Sequence, residues 1–186
     1  MFFSKPKNFQ QIVQEIYQNI VERSRSKFFY LNLDIQDDIE SRFDLIIIHA
    51  FMIFYYFKKL DDNRNQYAQS LFDTMFNDFD NNLREMGFGD IAVNKKMKVF
   101  ITAFYGRISQ YSIGMDNILN INNFEVFNKA IKNNIYKGRD TNLIQEKFFK
   151  NYIVDNIRDF NSNSIEKNLK NKFSFINLPL ESVDLK

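Results

Sequence analysis

The sequence predicts a single compact all-α domain of about six to eight helices, and three observations predict it. Apolar residues recur with a helical period along most of the 186 residues. The two prolines, Pro6 and Pro179, both lie outside those periodic stretches, so no proline interrupts a helix. One uninterrupted apolar run, Leu45 to Phe57 (LIIIHAFMIFYYF), reads as a helix buried on all sides. Arg42 and Asp44 bound it before, Lys58 and Lys59 after, and it falls short of the ~20 residues needed to span a bilayer. This 45–57 helix is expected at the centre of the fold.

The other elements follow in order. A first helix is expected from about Asn8 to Arg23, with Ile12, Val13, Ile16, Tyr17, Ile20 and Val21 on one stripe. Phe28, Phe29, Tyr30, Leu31 and Leu33 then plug the core from a loop. Asp37, Asp38 and Glu40 precede the buried helix, where the helix dipole favours negative charge. From Ala68 to Met86 the pattern is strongly amphipathic. Ala68, Leu71, Phe72, Met75, Phe76, Phe79, Leu83 and Met86 share one side, and Asp73, Asn77, Asp80 and Arg84 the other. Asp80 and Arg84 are spaced for an i,i+4 ion pair. Gly87 is expected to stop this helix in a left-handed conformation, and Asp90 or Asn94 to cap the next. That next helix turns Met97, Phe100, Ile101, Phe104, Tyr105, Ile108 and Tyr111 inward. Lys96, Ala103, Gly106 and Arg107 share another face, where the two small residues permit close approach. Helical patterns continue over 123–137 and 142–160, a short helix is expected within 161–172, and FSFINLP (173–179) reads as an extended, docked tail. No repeat or linker divides residues 1–186.

The composition excludes several functions. With 45% hydrophobic and 26% charged residues the chain is globular. It has no cysteine, which removes disulfides and thiolate chemistry and suits a reducing compartment. The opening MFFSKPKNFQ has neither an apolar signal region nor an Arg/Ser-rich leader, which points to the cytoplasm. The net charge of +2 does not imply nucleic acid, and no DNA-binding motif occurs, so specific DNA binding is not expected. Residues 1–90 carry 10 Lys+Arg against 14 Asp+Glu, and residues 91–186 carry 15 against 9. The basic second half suits solvated helix faces first, and anionic lipid or RNA second.

Catalytic candidates are few. His49, the lone histidine, sits in the most apolar segment and reads as a hydrogen-bonded core residue. As a general base it would need a nucleophile and an orienting acid beside it, and as a metal ligand it has no second His or Cys. The acids Asp73, Asp78, Asp80, Glu85 and Asp90 lack EF-hand spacing. Gly87-x-Gly89 with Lys95 and Lys96 follows a helix, whereas phosphate-binding fingerprints follow a strand. No catalytic residue, metal or cofactor is therefore assigned. An enzyme using His49 stays as an alternative, to be raised by an open His49 beside a carboxylate.

Two stretches, 28–57 and 69–111, carry more than periodicity. The first holds Phe29–Tyr30, Arg42–Phe43–Asp44 and His49. The second holds Leu83-Arg84-Glu85-Met86-Gly87, Gly89-Asp90, Val93, Lys95–Lys96 and Phe104-Tyr105-Gly106-Arg107. Together they resemble the ubiquinol–cytochrome c chaperone family, in its bacterial form, over residues ~10–180. Ser41 stands where that family usually has Gly, and Asp34–Ile35–Gln36 where relatives have Pro-Asp-Thr. The resemblance implies a non-catalytic assembly factor that binds newly made cytochrome b and holds it for haem insertion and reductase assembly. It implies a small partner protein near the ribosome exit, and action at the inner face of the inner membrane. Motif residues without evident core duty are the candidate partner contacts: Arg84, Glu85, Asp90, Lys95, Lys96 and Arg107. A constitutive helical subunit of a membrane complex is the other alternative.

Overall fold

The computed structural model describes residues 8–60 and 66–179. Residues 1–7, 61–65 and 180–186, which the one-domain expectation included, lie outside the described residues. Eight helices occur among the described residues: α1 Phe9–Ser24, α2 Lys27–Leu31, α3 Ile39–Phe57, α4 Gln66–Glu85, α5 Asp90–Ile121, α6 Glu125–Asn134, α7 Leu143–Ser162 and α8 Ile165–Lys170.

Helix α3 is the mast of the fold. Asp38 starts it by accepting the Ser41 backbone N–H at 2.7 Å, and Glu40 adds negative charge to the first turn. Beyond Leu45 every side chain is buried except half-buried Ile46 and Phe54. Helices α1, α4, α5 and α7 pack around it. Each large apolar side chain so enclosed stabilises by about 1.5–3 kcal/mol.

The remaining elements close this core. Helix α1 packs on α3 and α4, and Tyr17 donates to Asp78 of α4 at 2.6 Å. Helix α4 ends at Gly87, whose φ of +87° turns the chain, while the Phe88 N–H returns to the Leu83 carbonyl. Helix α5 is long because neither Gly106 nor Gly114 breaks it. Gly114 is required by α6: a Cβ there would stand 2.9 Å from the Phe127 Cα. Helix α7 opens on a reciprocal cap between Asn142 and Gln145. The tail after α8 runs back over α1 and α7. Asn19 donates to the carbonyls of Lys172 and Phe173, Arg23 to that of Phe175, and the Ile176 N–H to Asn156. Phe173 and Phe175 are buried, so the docked tail is as expected.

Four local expectations need correction. Residues 27–31 form a helix capped by Ser26, and Leu31 turns away from the core at 74% exposure. Met86, one residue past α4, is 54% exposed because the chain has already begun to turn at Gly87. Tyr105 is 58% exposed and lays its ring on Phe72 at 5.8 Å, since Phe104 occupies the inward position. Neither Asp90 nor Asn94 caps α5. Gly89 holds that position, and Asp90, the first helical residue, turns to Arg84.

Candidate functional site

His49 lies where α3 meets α1, α7 and the tail. Its Nδ1 is 2.6 Å from the Leu45 carbonyl, which only accepts, so Nδ1 carries the proton. Nε2 then accepts from the Tyr152 hydroxyl at 3.1 Å. Ser24 Oγ stands 3.3 Å from Nδ1 but donates to the Ile20 carbonyl at 2.7 Å. A protonated Nδ1 cannot take the serine proton. The rings of Phe29 and Phe175 stand edge-on at 5.3 and 5.1 Å. Burial, opposed by the Leu45 bond and helped by the Arg23 charge, pushes the imidazole from 6.5 down to about 3. The ring is a neutral, doubly bonded core group with no exposed surface, as expected from its apolar segment. A general base must reach a substrate proton, and this geometry gives no such access. Among the described residues no group of three His, Cys, Asp or Glu is arranged to hold a metal ion.

Among the described residues the buried carboxylate is Asp44, one turn before His49 on α3. Its carboxylate is ion-paired with Arg107 of α5 at 2.5 Å and with Lys137, in the turn after α6. Arg107 also lies over the Phe43 ring at 5.5 Å. Burial pushes the Asp44 carboxyl up, against the pull of Arg107 and Lys137. Fully buried Tyr111 senses that charge, and burial pushes its hydroxyl well above the usual tyrosine range. Arg107 therefore anchors α5 to α3 and shows only its edge to solvent. Lys137 escaped sequence reasoning: it is 93 residues from Asp44, in a left-handed turn at φ +53° with no periodic pattern.

The other motif residues gather at the α4–α5 turn. Arg84 bridges Asp80, at 2.5 Å, and Asp90. Glu85 and Lys95 are exposed, and Lys96 places its ammonium 4.9 Å from the centre of the Phe88 ring. Arg107 stands apart: it is 11 positions beyond Lys96, or roughly 16 Å along the helix. The structure thus brings five of the six residues to one corner and leaves Arg107 in the buried ionic cluster. Exposed apolar side chains lie near that corner, notably Met86, Ile91 and Val99. No helix among the described residues is long and apolar enough to cross a membrane.

A family model described as ubiquinol-cytochrome C chaperone matches residues 31–175. Among solved structures, the crystal structure of the Cbp3 homolog from Brucella abortus is similar, with a TM-score of 0.76 and 27% identity over 90% of each chain. No curated protein matches the chain.

Proposed function

The chain belongs to the ubiquinol–cytochrome c chaperone family, and on that premise we propose that it binds newly made cytochrome b and supports assembly of ubiquinol–cytochrome c reductase without catalysing a reaction. The match over residues 31–175 carries this reading, because it spans α3 to α8 and the α4–α5 corner together. Two observations support it. The one histidine is neutral and enclosed, which removes the imidazole as an acid–base group. Apolar side chains stay exposed around a charged corner, as a surface that receives a partly apolar polypeptide requires. Partner contact is assigned to Arg84, Glu85, Asp90, Lys95 and Lys96, and to the open edge of Arg107. The proposed place of action is the cytoplasmic face of the membrane that houses cytochrome b, with a small partner protein and the ribosome nearby. The test is affinity purification of the chain from membranes during active translation, probed for immature cytochrome b. Deleting the gene should lower assembled reductase and spare other respiratory complexes. Normal reductase in the deletion strain, with no second copy of the gene, would count decisively against the proposal.

A further inference from the structure

We propose that a cleft between α1, α3 and α4 docks a single apolar side chain from an acidic segment of the client polypeptide, with Arg25 and Lys27 meeting the acid. This rests on the chaperone reading and gives it a place on the surface. The cleft holds about 130 Å³. Cavities of about 150 Å³ accept a benzene-sized group, so this one suits a Leu or Phe side chain.

Its floor is already built. The rings of Phe43 and Phe100 stack at 4.5 Å, Phe79 lies 5.3 Å from Phe43, and Leu83 is buried beside them. A floor of interlocked rings needs no ordering on binding, which removes one cost of association. Met86 and Ile39 stand at the lip, 54% and 49% exposed. Methionine is the side chain best able to adapt to a varied apolar partner. About half of each lip residue is left open to solvent by the described residues.

The charge at the rim selects the partner. Of its two carboxylates, Asp37 is ion-paired with Arg42 at 2.7 Å, while Asp78 takes the neutral Tyr17 hydroxyl and keeps its charge on the α4 side. Among the described residues no carboxylate pairs with Arg25 or Lys27. A second depression shares Arg25, Tyr30 and Arg42 with the first and adds Lys27 and exposed Leu31. The result is one hydrophobic hole with two unpaired cations on one side. An anionic membrane is met best by a flat cationic face, whereas a hole of one side chain's size fits a polypeptide. Rim charges of this kind set partner choice and association rate.

The test uses the full chain. Two labelled amphipathic peptides of about 16 residues share the same Leu and Phe positions and carry either Glu or Lys at the polar ones. Fluorescence anisotropy at low salt should show the Glu peptide binding. Arg25→Glu/Lys27→Glu should weaken it about tenfold or more, equivalent to ~1.4 kcal/mol, and improve binding of the Lys peptide. Both residues are exposed, so the variant should fold, with circular dichroism as the check. Equal binding of the two peptides, an unaffected double variant, or displacement of the Glu peptide by anionic phospholipid vesicles would overturn the proposal. In cells, a photoreactive phenylalanine analogue replaces Met86, Ile39 or, outside the cleft, Leu143. Crosslinks to cytochrome b from Met86 or Ile39 support the cleft. Crosslinks from Leu143 alone discard the cleft and keep the client reading. A chain that captures no cytochrome b from any position, and copurifies none, discards both.

Discussion

Replacing His49 by Gln should remove most of the pH dependence of stability between about pH 7.5 and about pH 5. In the unfolded chain the imidazole titrates at 6.5; in the fold, burial holds it near about 3. Between those values the unfolded state binds a proton that the native state refuses, so stability falls as pH falls. Each pH unit below 6.5 removes ~1.4 kcal/mol, so acidification to about pH 5 should cost the native chain about 2 kcal/mol. The loss continues toward about 3 and then ends. No other histidine exists to blur the window. Carboxyls held low by their partners, such as Asp37 and Asp140, lose their contribution only below the ordinary carboxylate range. Asp44, held high, works with the opposite sign, so the readout is the difference between native and His49→Gln. Gln can still donate to the Leu45 carbonyl and accept from Tyr152, which limits the structural damage. Urea unfolding followed by circular dichroism at both pH values gives the two slopes. If both proteins lose stability in parallel on acidification, the fold does not hold the ring neutral and the reasoning fails.

Three further outcomes are expected. Gly114→Ala should destabilise by about 2 kcal/mol because its Cβ meets the Phe127 backbone, whereas Gly106→Ala, with open space around it, should stabilise by up to about 1 kcal/mol. Thermal or urea melts that shift the same way for both variants would refute the close α5–α6 contact. Arg107→Met should cost about 2–3 kcal/mol at pH 8, since Asp44 stays buried with one partner. Its carboxyl then rises further and takes a proton in the folded state, so the deficit should shrink toward pH 5; a deficit that grows would contradict this. Lys95→Ala/Lys96→Ala should leave the circular dichroism spectrum intact and reduce cytochrome b copurification at low salt. Unchanged capture would remove both lysines from the binding surface.

The helices themselves were legible where apolar spacing is dense. The stripe from Leu71 to Leu83 defines α4, and the solid run from Leu45 to Phe57 defines the mast, because burial on one or all sides leaves a periodic record. Helix ends were less legible. Met86 and Tyr105 continue their stripes on paper, yet both face solvent. Periodicity assigns a direction but does not say whether another element lies there. The site divides in the same way. Arg84, Asp90 and the lysines are close in sequence and meet at one turn. The Asp44–Arg107–Lys137 cluster joins three elements, and only the packing of α6 on α5 brings the lysine in. The cleft below Met86 could not be read at all, since it is a gap between side chains.

The tail sets a schedule for the protein's own folding. Phe175 closes over His49, and Phe173 over Tyr56 and Phe57, while Asn19 and Arg23 of α1 grip their backbone. Partners 152 to 154 residues apart meet only late, so in a chain made from its N-terminus the side of the mast helix that carries His49, Tyr56 and Phe57 lacks its tail cover until the last residues emerge. A member of a chaperone family thus passes through a stage of uncovered apolar surface itself. That stage ends only when the residues near 175 leave the ribosome. Truncation at Lys172 should yield a chain that itself needs a chaperone.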